Sequence, residues 1–216
     1  MQEFYLSLWF IIPVAILGSC CTWCCLAHCI FLPFCVCLKR KHKLNQFSLI
    51  TDGNQPFKIL CAHRGGSAER MENTMAAFKH AVSLDMNMLE CDVHLSRDGH
   101  VVVSHDDTLG RMCGEEFAGK RVSDFNFNDL PKYQKTVSMH LTPGEYHMRD
   151  DEEGTFPLLR DMFRECPDAL ISIDMKERDE ILISKVNEMI IEFDREDKTV
   201  WGSMFKEQHQ AAQSKN

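Results

Sequence analysis

The stretch Leu89-Glu-Cys-Asp-Val-His-Leu-Ser-Arg-Asp-Gly-His-Val-Val-Val-Ser-His-Asp-Asp107 reads as two strands around a turn, yet it carries Glu90, Asp92 and His105 where a strand core favours valine. A buried charge without a partner is costly, so these side chains need a ligand or an exposed face. Residues two apart in a strand share a face, which places Glu90 and Asp92 on the same side, about 6.5 Å apart along the chain. Two carboxylates so placed can converge on one cation. Asp98-Gly99 supplies the tight turn, so "MNMLECDV" and "GHVVVS" are expected as consecutive strands.

Working outward, "FKILCA" is a short apolar run that ends at His63, and the glycines of "RGG" turn the chain. Asn73 is expected to cap a helix whose Phe78, Ala81 and Val82 recur at helical spacing. A long irregular insert follows from Thr108 to about Thr155, containing an acidic loop, "GEYHMRDDEEG", expected to be a solvated surface. After it, "PLLRDMFREC" reads as helix and "ALISIDMK" as strand. Asp179 to Phe193 reads as a helix with Leu182, Val186, Met189, Ile190 and Phe193 along one side, and "KTVWG" as a further strand. Strands alternating with helices predict an α/β fold with a parallel sheet and crossover helices.

The 216-residue chain has room for one domain and an extension. Its net charge of -8 is uneven: residues 1–43 hold Glu3 against Lys39, Arg40, Lys41 and Lys43, a net of +3, leaving -11 for the rest. An acidic body excludes nonspecific nucleic-acid binding, which needs clustered Lys and Arg. Phe4 to Leu38 contains no Asp, Glu, Lys or Arg and exceeds the ~20 residues that cross a bilayer. One transmembrane helix is expected there, with Pro13 and Pro33 leaving a broken or re-entrant hairpin as the alternative. The basic cluster after Leu38 places the globular part on the cytoplasmic side, at the endoplasmic reticulum or plasma membrane. A cleaved signal would begin with basic residues and be shorter. The expected organisation is an anchor with its basic flank over 1–43, a connector over 44–56 and a catalytic-type domain over 57–216.

Seven of the eleven cysteines lie between Cys20 and Cys37. Thiols in an apolar run behave as small hydrophobes, so S-palmitoylation near the membrane edge suits them better than zinc. Cys61, Cys91, Cys113 and Cys166 are spread singly, as reduced core thiols in the cytosol would be.

The chemistry gathers at strand ends. Asp174, at the end of "ISIDMK", is the natural third carboxylate beside Glu90 and Asp92, and oxygen ligands suit Mg2+ or Ca2+. The competing reading pairs these acids with Lys176, Arg64 and Arg97. His63 and His105 each end an apolar strand, where ligands bind in parallel α/β folds, and two histidines can divide proton removal and return. Arg64 and Lys176 offer cations to a phosphate, while Gly65 and Gly66 let backbone approach a ligand. The combination points to metal-assisted phosphoryl chemistry.

These residues also carry a resemblance. "HRGG" at His63 to Gly66, "ENT" at Glu72 to Thr74, "LECDV" around Glu90 and Asp92, and "VVVSHD" ending at Asp106 resemble the glycerophosphodiester phosphodiesterase family, in particular its membrane-anchored lysophospholipase-D-like members. The resemblance covers about Ala62 to Trp201. It implies a TIM barrel and a divalent cation held by Glu90, Asp92 and Asp174. It also implies proton transfer by His63 and His105, with His105 alternatively a metal ligand, and phosphate binding by Arg64. The implied substrates are glycerophosphodiesters and lysophospholipids, cleaved to glycerol phosphate or lysophosphatidic acid. Asp174 departs from the glutamate that many members carry, and later strands of the barrel are absent. About five of eight strands cannot close a barrel, so the expected fold is an incomplete TIM-barrel-type α/β domain from a C-terminally truncated chain. Two functions follow: a metal-dependent phosphodiester hydrolase, or an inactive membrane-bound fragment that binds lipid or partners.

Overall fold

The computed structural model of the chain describes residues 59–140 and 143–202. The expected anchor, its cysteine cluster and the connector lie outside the described residues. Among those described, no helix is long and apolar enough to cross a membrane.

The alternation in the opening stretch becomes two faces of one sheet. β1 (Cys61–Ala62), β2 (Met88–Leu95), β6 (Leu170–Met175) and β7 (Thr199–Gly202) run parallel in that order, and β3 (Val101–Val103) pairs antiparallel with the far end of β2. Leu89, Cys91 and Val93 of β2 and Ile171, Ile173 and Met175 of β6 are buried in one apolar cluster. Ala62 of β1 and Val101 and Val103 of β3 join that cluster, which α1 (Met75–Ser83), α3 (Leu159–Glu165) and α4 (Glu180–Glu192) cover, as crossover helices on a parallel sheet require. The even-numbered residues, Glu90, Asp92, His94, Ser172, Asp174 and Lys176, take the other face.

Thr74, not Asn73, caps α1: its Oγ1 accepts from the Ala77 N–H at 3.2 Å. Asn73 instead adopts a left-handed φ of 54° and sends its amide to Asp92. Val82 also departs from expectation, since Phe78 and Ala81 are buried but Val82 is 43 % exposed. Asp179 caps α4 through the Ile181 N–H, and Leu182, Val186, Met189 and Ile190 are buried as their spacing predicts.

The insert is not a loose loop. It holds α2 (Gly110–Cys113), several single 3-10 turns and a hairpin of β4 (Thr136–Ser138) with β5 (Glu145–His147). Leu109, Met112, Val122, Tyr133 and Val137 form a second apolar cluster with Met71, Val102 and Phe156. The expected solvated acidic loop is only partly so. Glu152 is buried, and accepts from the Met71 and Arg149 N–H groups and the Tyr146 hydroxyl, all at 2.8 Å. Three donors satisfy the carboxylate, which is why a charge can be buried there.

Cys61, Cys91, Cys113 and Cys166 are free thiols. Cys61 is exposed rather than in the core, the others buried.

Candidate active site

β1 delivers His63 to the end of the sheet, where the chain turns through Arg64, Gly65 and Gly66 at φ 52°, 78° and 95°. The turn closes when the Gly66 N–H donates to the His63 carbonyl at 2.9 Å. Gly65 is required by packing rather than by a ligand: a Cβ there would stand 2.8 Å from Ala77 Cβ and 2.9 Å from Phe78 Cδ1. Gly66 faces open space.

Glu90 lies one residue pair inside β2, half-buried, and its Oε2 accepts from the Arg64 N–H at 2.7 Å. His63 Nε2 stands 3.9 Å from the same oxygen. Burial, followed by the Asp92 and Asp174 charges, holds the Glu90 carboxyl well above the ordinary carboxylate range, against the Arg64 N–H and Lys176. Asp92 lies directly opposite Asp174 in the parallel pairing of β2 and β6. Lys176 Nζ reaches both, at 2.9 Å from Asp92 Oδ1 and 2.6 Å from Asp174 Oδ2. Burial alone would push Asp92 up, but Lys176, His105, Arg64 and the Asn73 amide outweigh it and hold the carboxyl below its usual value. Those same acids hold Lys176 above its usual value despite burial.

Arg64, 2 % exposed, donates to Glu72 at 2.9 Å and stands 3.6 Å from Asp92. Its guanidinium is therefore occupied by carboxylates. Glu72 also accepts from Arg111 at 2.6 Å, and Arg111 Nε donates to Asp106 Oδ2 at 2.6 Å. Asp106 Oδ1 lies 2.7 Å from His105 Nδ1. Charges of alternating sign thus run from Asp92 through Arg64, Glu72 and Arg111 to Asp106, beside the His105 ring. Burial raises the Asp106 carboxyl, but its bonds to His105 and Arg111 hold it far below the ordinary range.

His105, Asp106, His140, Asp174 and Lys176 line a cleft of about 330 Å³. His63, Gly65 and Gly66 line a second, of about 300 Å³, to which the insert contributes Met139. Consecutive residues of the insert therefore reach the two clefts, one side chain each. Burial, Arg64 and His105 hold the His140 imidazole below its ordinary value.

The structure brings Glu90, Asp92, Asp174 and Lys176 to one sheet face. Among the described residues, the group of three whose possible ligand atoms lie within 4.8 Å of one another is His105, Asp106 and His140. The acids are held apart by a lysine ammonium between Asp92 and Asp174. Their chemistry nevertheless suits a divalent cation: three carboxylates on one face, with the half-buried Glu90 carboxyl raised by burial and then by the Asp92 and Asp174 charges, form a set that a cation would relieve.

Several members of the site were not singled out from sequence. Glu72 and Asp106 stood in the quoted motifs without roles. His94 was legible by parity with Glu90 and Asp92; its Nδ1 lies 2.8 Å from Glu177 and its Nε2 3.3 Å from the His105 carbonyl oxygen. Arg111 and His140 carry no sequence signal, because the fold of the insert alone brings them here.

A mostly parallel sheet with helices on one face, and acids and histidines at its strand ends on the other, defines an α/β protein of the TIM-barrel type with a charged strand-end site. Residues 63–212 match the glycerophosphoryl diester phosphodiesterase family, and the chain belongs to it. It is 39% identical over 142 residues to human lysophospholipase D GDPD1, covering 66% of this chain and 44% of that protein. It is likewise 39% identical over 144 residues to mouse lysophospholipase D GDPD3, covering 67% and 42%. The chain therefore spans about half the length of the curated relatives it matches. Among solved structures, a glycerophosphoryl diester phosphodiesterase domain from Mycobacterium tuberculosis superposes with a TM-score of 0.59 at 22% identity, over 71% of this chain and 55% of that one. The glycerophosphodiester phosphodiesterase from Agrobacterium tumefaciens gives 0.55 at 23%, over 73% and 62%.

Proposed function

We propose that the site hydrolyses a phosphodiester of glycerol, in a lysophospholipid or a glycerophosphodiester, with lysophosphatidic acid or glycerol phosphate as the phosphorylated product. The facing of Asp92 and Asp174 across β2 and β6, with Glu90 on the same face, carries this reading. Glu90, Asp92 and Asp174 would hold Mg2+ or Ca2+, which when bound supplies charge stabilisation for the phosphoryl oxygens. Lys176 then exchanges its contacts with the two aspartates for the phosphate, a move its flexible stem allows.

His63 and His105 open on the two clefts, and they divide the proton transfers. One imidazole accepts the proton of the neighbouring glycerol hydroxyl as its oxygen attacks phosphorus. The other gives a proton to the departing head-group oxygen. The resulting cyclic phosphate is opened by water, with the two histidines in exchanged roles. Asp106, fixed by Arg111, holds His105 with Nδ1 toward the carboxylate, leaving Nε2 for the substrate. Arg64 acts through its N–H on Glu90 and through Asp92 rather than by an open guanidinium. Anchorage by the apolar N-terminal run would present the domain to lipid from the cytoplasmic face, which favours lysophospholipids over soluble diesters.

The test is release of head group from lysophosphatidylcholine with Mg2+ or Ca2+, comparing the full chain with Glu90→Ala. The expected loss is about 100-fold or more, and equal turnover would remove the hydrolase reading. A second reading, an inactive membrane-bound fragment that competes for lipid or partners, draws on one observation. Among the described residues, β7 pairs with β6 alone and β1 with β2 alone, so the sheet is open. A thermal melt of the full chain with no cooperative transition would favour that second reading.

A further inference from the structure

We infer that His105, Asp106 and His140 form a second cation site, for a borderline transition ion of the Zn2+ class, distinct from the acidic set on β2 and β6. One ligand atom from each lies within 4.8 Å of the others. The imidazoles of His105 and His140 are 4.7 Å apart between centroids and tilted by 53°, so their nitrogens can meet at a common point rather than stack. Zinc bonds of about 2.0–2.1 Å to nitrogen and oxygen place ligand atoms roughly 3.3–3.5 Å from each other. Closing the set therefore asks for about 1.5 Å of movement. His140 can supply it, because it is exposed and stands on the insert rather than in the sheet.

Donor chemistry separates this site from the first. Two imidazoles with one carboxylate suit Zn2+, Co2+ or Fe2+, whereas an oxygen-only set suits Mg2+ or Ca2+. Arg111 grips Asp106 with two donors, Nε to Oδ2 at 2.6 Å and Nη2 to Oδ1 at 3.1 Å, and Oδ1 is also the oxygen that faces His105, 2.7 Å from its Nδ1. Asp107 and Asp174 line the same cleft, where Lys176 pairs with Asp174 and Asp107 adds a further negative charge. An ion held there takes the lone pair of His105. On the reading of His105 as a proton-transfer group, it inhibits the reaction; binding itself does not depend on that reading.

The experiment is a Co2+ titration of the full chain in detergent, after alkylation of accessible thiols, followed by visible absorption. The expected result, with a hundredfold excess of Mg2+ present to occupy the acidic set, is one Co2+ per chain with ligand-field bands that Zn2+ displaces. Glu90→Gln keeps the bands, since it lies in the other set. His140→Ala and the better size-matched His140→Gln, each checked for an unchanged far-UV circular-dichroism spectrum, weaken Co2+ affinity by roughly tenfold or more. Bands that persist in both His140 variants, that vanish in Glu90→Gln, or that never form overturn the site. Loss of hydrolysis without loss of Co2+ binding would bear on the proposed reaction alone.

Discussion

The helix-covered sheet and the insert between Thr108 and Thr155 both bury apolar side chains, but by different means. In the sheet, period-2 strands and 3.6-period helices bring Leu89, Cys91, Ile171 and Ile173 against Phe78, Leu182 and Val186. In the insert, single turns and one short hairpin assemble Leu109, Met112, Tyr133 and Val137, and buried polar groups complete them. Regular backbone satisfies its own hydrogen bonds, so the sheet can be nearly pure hydrocarbon on one face. Irregular backbone cannot, so the insert depends on specific acceptors such as Glu152.

The largest expected effect tests the charged face of the sheet. Asp92→Ala leaves the buried Arg64 and Lys176 without a shared counter-charge and should cost about 3–5 kcal/mol in a urea melt. A loss under 1 kcal/mol would show that Glu72 and Asp174 suffice. On the apolar face, Phe78→Ala removes a fully buried ring from the same core, with an expected cost of about 3–5 kcal/mol. In the insert, Glu152→Ala strands three donors and should cost about 1–3 kcal/mol, more than any apolar truncation of its exposed turns. An effect near zero would mean that water replaces Glu152, and the contrast between the two regions would fail.

Acid pH sharpens the same comparison. Asp92 and Asp106 are held below their ordinary value in the folded chain, so the unfolded chain takes up protons first. Their stabilisation is full above about pH 4–5 and is lost as pH falls through the unfolded value near 3.9 and toward the folded ones. Glu90 has the opposite sign: its carboxyl is raised by burial and by Asp92, so its ionisation opposes folding as pH climbs past the unfolded value near 4.3. Glu90→Gln should therefore raise the urea midpoint of the metal-free chain at pH 7, and on the proposed reaction it should also abolish lysophosphatidylcholine turnover. A lowered midpoint would mean that the glutamate is stabilised by contacts its neutral form cannot make. The smallest effect belongs to the surface: Arg160→Gln breaks an exposed pair with Glu192 and should leave the melting curve unchanged.

How much was legible follows from where each signal resides. The strand expected over "MNMLECDV", found at Met88–Leu95, the α4 helix and its apolar side, and the strand at Thr199 are legible because periodicity is local. Asn73 looks like a cap in one dimension, because a capping residue and a residue that reaches across to Asp92 share the same local pattern. Gly65 suggests close approach of a ligand, whereas Ala77 and Phe78, twelve and thirteen residues on, are what come close. The insert was read as irregular because short turns have no period, although its hydrophobic residues were in plain view.

By itself, the chain's order of residues determined the alternation that puts Glu90, Asp92, Asp174 and Lys176 on one side of the strands, because side chains along a strand alternate whatever surrounds them. Only the tertiary structure decided that Lys176 stands between two aspartates, that Arg64 faces Glu72, and that His140 meets His105. Lys176 and Asp92, like His140 and His105, are tens of residues apart, and even the eight-residue step from Arg64 to Glu72 depends on how the chain turns; that geometry rests on the pairing of β2 with β6 and on how the insert packs, neither of which any local pattern encodes.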